Sequence, residues 1–250
     1  MFVLIYVDDI VVVCTSLKEY KLFVEVLSRK FKLSELGNLK YFLGIQVRLE
    51  NNVYILNQRN YIQKVLVRFG LEQCKPSKVP MATGFLQQKE ENGESLQDRE
   101  SFQSLIGALL YIAVNTRPDI AIATSILGRR VSNPTNADWI EAKKVLRYLK
   151  GTIDHELHLG NNDTKQILEG FVDADWAGEV KNRKSNTGFL FKFGGLIGWS
   201  CRKQTYVALS STEAEYVALA ECLQELQWLL KLINDVGETL DLPILIHEDN

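Results

Sequence analysis

A chain of 250 residues has room for one large domain or two ordinary ones. With 46% hydrophobic residues, 24% charged residues and a net charge of −2, its composition is that of a soluble globular protein, and no stretch is apolar for long enough to span a membrane. Its cysteines, Cys14, Cys74, Cys201 and Cys222, are scattered with no CxxC, which speaks against a zinc site or disulfide framework and fits a reducing intracellular setting. The charge is segregated: between Lys18 and Arg68 ten bases face four acids, a balance of +6, whereas the region after Gly151 is acidic. A basic half suits a polyanionic partner and an acidic half suits metal-assisted chemistry.

The chain opens with "MFVLIYVDDIVVVC", whose short β-branched runs read as two buried strands with Asp8 and Asp9 at a tight reversal. The pair is either a plain turn or a binding site for a hard divalent cation, and the stretch itself leaves both open. The run has no basic leader and no small-residue cleavage site, so it is not a signal peptide. Ser16 and Glu19 have capping-box spacing, and a helix follows with Tyr20, Phe23, Val24, Leu27 and Phe31 on one stripe. Residues 39–56 predict two strands around an Asn51–Asn52 turn. "NQRNYIQKVLVRFG" predicts a helix with Asn57 before it and Gly70 after it. Residues 71–98 lose periodicity and read as a linker or long loop.

Three helices are expected next. The first stops at Arg117–Pro118, the second starts with Pro118 in its first turn, and the third has Thr135 and Asp138 at cap spacing and Gly151 as its stop. The last hundred residues predict strands at "HELHL", "ILEGFVDAD", "TGFLFKFGG" and "LIGWSC", a helix from about Ser211 to Val236, and a final strand "ILIHEDN". Strands followed by a helix and a further strand predict a mixed sheet with packed helices.

The acids that carry chemistry lie in that last region. Asp173 and Asp175 are two apart on a strand and share one face, so the residues alone do not choose between them. In the long helix, Leu219, Leu223, Leu226, Leu230 and Ile233 form the expected buried stripe; Glu215 extends it and Glu213 does not. A carboxylate on a core-facing stripe costs free energy unless it is paired or binds a metal, whereas an acid in a helix's first turn needs no further reason. Asp249 ends the last strand. If the three converge, like charges about 4 Å apart repel by about 4 kcal/mol at an effective dielectric near 20, so cations or raised pKa values are required.

The blocks "YVDDI", "YFLGIQV", "SLIGALLYIAVNTRPDI", "VLRYLKGT", "DADWAG", "RKSNTGFLF" and "VALSSTEAEYVALAE" occur in this order. Together they make the chain similar, over essentially its whole length, to the reverse transcriptase–ribonuclease H portion of a copia-type LTR retrotransposon Pol polyprotein. The resemblance implies an α+β fold: a palm remnant and primer-grip-like hairpin in 1–70, a linker in 71–98, thumb and connection helices in 99–151, and an incomplete ribonuclease H-like mixed sheet with helices in 152–250. It implies that Asp8 and Asp9 are two of three polymerase carboxylates and that Phe42, Leu43 and Gly44 lie near the primer backbone. It places Arg129, Arg130, Lys143, Lys144 and Arg147 where they could contact phosphates, and it assigns Asp173, Glu215 and Asp249 as ribonuclease H acids holding Mg²⁺ or Mn²⁺. Glu179 stands where the family often has Asp.

The implied partners are primer–template, RNA–DNA hybrid and the remainder of the Pol polyprotein, with no membrane and an intracellular setting, either a cytoplasmic virus-like particle or the nucleus. The chain starts at the hairpin and stops one residue after Asp249, so by the family's pattern the fingers, the third polymerase Asp and the fourth ribonuclease H acid are expected to be missing. The expectation is therefore a chain inactive as a polymerase and weak or inactive as a nuclease. The alternative is a catalytically dead, element-derived nucleic-acid-binding remnant.

Overall fold

The computed structural model describes residues 1–85, 94–160, 167–179 and 182–249. Its first element is a hairpin of β1 (Phe2–Tyr6) and β2 (Asp9–Val13), with Tyr6 opposite Asp9. The reversal is therefore Val7–Asp8, with Val7 in the left-handed region at φ 51°, and Asp9 is the first residue of β2. The expectation of buried strands does not hold. The two strands pair only with each other, and apolar side chains on both faces stay in solvent, up to 71% exposed at Ile5.

Helix α1 (Leu17–Ser28) follows, but the Ser16 side chain makes no cap bond, so the expected capping box does not form. Tyr20, Phe23, Val24 and Leu27 are half-buried, while Phe31 lies beyond the helix and is 62% exposed.

A second sheet has the order β3 (Tyr41–Phe42), β4 (Ile45–Glu50), β5 (Val53–Asn57), β6 (Leu157–Leu159), antiparallel throughout. Two-residue turns join the first three strands, Leu43–Gly44 and the expected Asn51–Asn52, with φ positive at all four residues as such hairpins require. Strand β6 was expected with the C-terminal strands. It joins β5 instead because Glu156, just before it, takes both guanidinium nitrogens of Arg48 on β4, at 2.7 and 2.8 Å, and a hydrogen bond from Asn57 at 3.2 Å.

The helices α2 (Arg59–Arg68), α3 (Arg99–Asn115), α4 (Ala121–Gly128) and α5 (Asn136–Gly151) enclose one apolar core, centred on Phe102, Leu105, Leu109, Leu127, Leu146 and Ile62. The start signals account for their beginnings. Asn57 Oδ1 accepts from Arg59 N, Asp98 accepts from Ser101 N, and Thr135 with Asp138 forms a complete capping box. Pro118 opens a 3₁₀ turn (Pro118–Ile120) ahead of α4. Gly151 is the last helical residue of α5 rather than the stop beyond it.

The expected linker is not free chain over its first half. Arg147 Nε donates to Lys75 O at 2.7 Å, Lys150 Nζ to Cys74 O at 2.7 Å, and Ser77 N to Arg147 O at 3.1 Å, which straps residues 74–77 along α5; Phe85 is buried in the core. Residues 86–93 of that expectation lie outside the described residues.

The third sheet has the order β10 (Leu245–His247), β7 (Glu169–Asp175), β8 (Asn186–Lys192), β9 (Leu196–Lys203). Its last three strands are antiparallel, and β10 runs parallel to β7. Helix α6 (Ser211–Asp235) packs on this sheet through Ala214, Ala218, Cys222, Leu226, Leu229 and Ile233. The buried stripe is thus displaced by one residue from the leucine ladder expected over most of its length, and Leu223 is 40% exposed. Cys222 and the two alanines hold the centre because small side chains let the helix approach the sheet closely.

Contacts from both earlier parts hold the third sheet: Trp199 Nε1 donates to Ala113 O on α3 at 2.8 Å, and β6 of the second sheet meets the β8–β9 turn, where Gly160 N donates to Gly194 O at 2.7 Å. A Cβ at Gly195 would overlap the His158 backbone carbonyl, which has no room to yield. Gly195→Ala should therefore destabilise the chain by about 1–3 kcal/mol in chemical denaturation. Gly107→Ala, on the exposed face of α3 with nothing within 4 Å, should instead stabilise it by about 0.5–1 kcal/mol.

Candidate metal centre

Three elements build the site. The β10–β7 ladder pairs Leu245 with Glu169 and His247 with Phe171, and the same register carried two residues further sets Asp249 beside Asp173. The first turns of α6 supply the third acid. Ser210 caps the helix by accepting from Glu213 N at 3.1 Å, and Glu213 turns back to accept from Leu209 N at 2.7 Å. That occupies Glu213 in the cap, and Glu215, half a turn on, faces the sheet. Carboxylate oxygens of Asp173, Glu215 and Asp249 all lie within 4.8 Å of one another, and this is the one such group of three found among the described residues.

The electrostatics are those of crowded anions. Burial pushes the Glu215 carboxyl above its ordinary range, Asp173, Glu248 and Asp249 push it further the same way, and a backbone hydrogen bond from Ala174 partly opposes them. Glu215 Oε2 is buried with no hydrogen-bond partner. A half-buried carboxylate with an unpartnered oxygen beside two exposed carboxylates is a hard, anionic oxygen donor set, which fits Mg²⁺ or Mn²⁺ and not a soft metal.

Asp175, on the same face of β7 as Asp173, stays outside this group. Its Oδ2 accepts from Asn186 Nδ2 at 3.2 Å, and the following turn folds so tightly over it that a Cβ at Gly178 would overlap its carboxylate.

The other residues singled out in the sequence are dispersed. Asp8 and Asp9 stand in the exposed hairpin, and no third acid among the described residues groups with them. Leu43 and Gly44 form the β3–β4 reversal just after Phe42 at the end of β3, where Tyr111 Oη on α3 donates to Leu43 O and Tyr61 stacks edge-on against Tyr111. Sequence reasoning missed Tyr111, because nothing in the sequence signals a contact across 68 positions.

The five basic residues all have intramolecular partners. Arg129 donates to Asn186, Arg130 pairs with Asp138 and lies over Phe85, Lys143 lies over Trp139, Lys144 is 3.5 Å from Glu141, and Arg147 holds Lys75.

Residues 1–83 match the family described as reverse transcriptase (RNA-dependent DNA polymerase). An uncharacterised mitochondrial protein of Arabidopsis thaliana is 39% identical over 229 residues, covering 91% of this chain and 94% of that protein. The retrovirus-related Pol polyprotein from transposon TNT 1-94 of Nicotiana tabacum is 37% identical over 95% of this chain, and that from transposon RE2 of Arabidopsis thaliana is 37% identical over 100% of it. The chain belongs to the reverse transcriptase family of copia-type transposon Pol polyproteins. It spans 18% and 17% of the length of those two polyproteins. No solved structure matches it significantly.

In this member of the family the crowding at Glu215 has a measurable consequence. Its folded-state pKa lies above the ordinary value of 4.5, so the native chain holds that proton more tightly than the unfolded chain does. The resulting stability is fully present below about pH 4.5 and is lost as pH rises through the folded value. Without divalent cations, Glu215→Gln should therefore melt a few degrees above the parent chain near pH 7, with the gap closing towards about pH 4. Millimolar Mg²⁺ should raise the melting temperature of the parent and not of the variant.

Proposed function

We propose that the chain is part of a copia-type RNA-directed DNA polymerase joined to its ribonuclease H centre, and that Asp173, Glu215 and Asp249 form the site that cuts RNA in RNA–DNA hybrids. The observation that carries this reading is the convergence of three carboxylates, from β7, from α6 and from just beyond β10, on one point. The three acids would hold Mg²⁺ or Mn²⁺, which when bound would supply Lewis-acid activation of the attacking water and stabilisation of the leaving oxygen. Glu215 closes the inner side of the site and acts in its ionised form, while Asp173 and Asp249 stay exposed where a phosphodiester could approach. The ribonuclease H-like part begins at β7, since β6 completes the preceding sheet.

In the same reading, residues 1–70 are a palm remnant with a primer-grip-like hairpin, and 99–151 are thumb and connection helices. Asp8 and Asp9 serve as two polymerase carboxylates, and the Leu43–Gly44 turn, pinned by Tyr111, presents backbone to a primer end. Partners are primer–template, RNA–DNA hybrid and the remainder of a Pol polyprotein, in a cytoplasmic particle or the nucleus. No helix among the described residues is long and apolar enough to cross a membrane. Phosphate contacts by Arg130, Lys143, Lys144 or Arg147 would have to compete with the pairs those side chains already make. A second reading, a nucleic-acid-binding chain without catalysis, draws support from Asp8 and Asp9, which have no third acid beside them among the described residues.

Two assays separate these readings. With end-labelled RNA–DNA hybrid and Mg²⁺, in a full-length Pol protein that carries this segment, Asp173→Asn should lower cleavage far more than Asp175→Asn. Hybrid binding with no cleavage by any form would favour the second reading. In primer extension, the 250-residue chain alone should add no nucleotides, because two carboxylates cannot hold both ions and a nucleotide. Extension abolished by Asp8→Asn would refute that expectation.

A further inference from the structure

Arg129, the C-cap residue just beyond α4, reaches out of the helical core to the third sheet. Its Nη2 donates to Asn186 Oδ1 at 2.6 Å and to Ser125 Oγ at 3.2 Å, and its Nη1 faces Glu179 Oε2 at 3.7 Å. Asn186 is buried on β8 directly across from Asp175 and donates its Nδ2 to Asp175 Oδ2 at 3.2 Å. The direction of this chain of bonds is not arbitrary. A guanidinium can only donate and a carboxylate can only accept, so the carboxamide between them has one allowed orientation. The guanidinium thus fixes the amide, and the amide holds a carboxylate that stands two residues from Asp173 on the same strand face.

We propose that Arg129 is a positioning residue for the acidic site, acting through Asn186 to hold Asp175 out of it and to fix the end of β7 on which Asp173 stands. The proposal rests on reading Asp173, Glu215 and Asp249 as a metal site, and it gives Arg129 a different role from the phosphate contact expected from the sequence. The helical core then governs the geometry of a centre to which it contributes no ligand. Removing the guanidinium leaves the Asn186 oxygen buried without a donor and lets the amide turn, which releases Asp175 beside Asp173. The fold itself should persist, because the β7–β8 ladder stays paired and Lys203 Nζ, 2.9 Å from Glu179 Oε2, still neutralises that acid.

The test is a Mn²⁺ titration of the whole chain followed by electron paramagnetic resonance, together with amide hydrogen exchange over residues 176–179. Arg129→Met should weaken Mn²⁺ by about tenfold and speed exchange at Ala177, whose N–H is bonded to Ser185 Oγ. Arg129→Lys keeps the charge without the fork and should fall between the two. Parent affinity and parent exchange rates in Arg129→Met would overturn the proposal. If that variant does not fold, the same two equalities in Arg129→Lys would do so. A parent chain that binds no Mn²⁺, or that binds it unchanged in Asp173→Asn, defeats the metal-site reading instead. The exchange arm then decides the link alone, with faster exchange in Arg129→Met supporting it and unchanged exchange overturning it.

Discussion

The three-residue parallel ladder between β10 and β7 is the constraint on which the candidate site depends. It fixes the register that brings Asp249 alongside Asp173, and α6 then lays Glu215 over the pair because its small-residue face lets it pack close to the sheet. Three anions drawn together this way oppose the fold, and the apolar contacts of Leu226, Leu229 and Ile233 beneath α6 have to outweigh that repulsion. The raised Glu215 carboxyl and its unpartnered oxygen are the residue of that conflict. Like charge crowded in this way is what bound cations would relieve, in keeping with the metal-assisted chemistry proposed for it.

The two halves of the chain meet through few but specific contacts. Trp199 reaches a carbonyl of α3, β6 bridges from the second sheet to the β8–β9 turn, and Arg129 spans from α4 to β8. All three bring a polar group to a buried or half-buried partner, so their value lies in fixing one relative placement more than in burying area. The β1–β2 hairpin is the opposite case: its strands are apolar and well paired, yet both faces carry exposed side chains.

Local signals were legible where their partners are close in sequence. The Thr135–Asp138 capping box, the Asn51–Asn52 turn and the span of α6 all appear where the residue pattern puts them. The Ser16 box failed although its spacing is right, because a spacing does not orient a hydroxyl. The stripe of α6 shifted by one residue because a run of leucines at both possible registers leaves the choice to the shape of the sheet, which prefers Ala214, Ala218 and Cys222 at the closest approach. Strand β6 went to β5 because an ion pair between Arg48 and Glu156, 108 positions apart, directs it there.

By itself the sequence determined the mixed α and β character and the ordered motif blocks that mark the family, since each of these is written in residue type and short spacing. The choice between Asp173 and Asp175 was not of that kind. Both acids point the same way from one strand, and period-two geometry cannot separate them. The tertiary structure separates the two by surroundings, setting Asn186 across from Asp175 and folding Gly178 over it while grouping Asp173 with Glu215 and Asp249. The physical reason is that a side chain's partner is selected by what the rest of the fold delivers to its neighbourhood, and those deliveries come from positions far away in the chain.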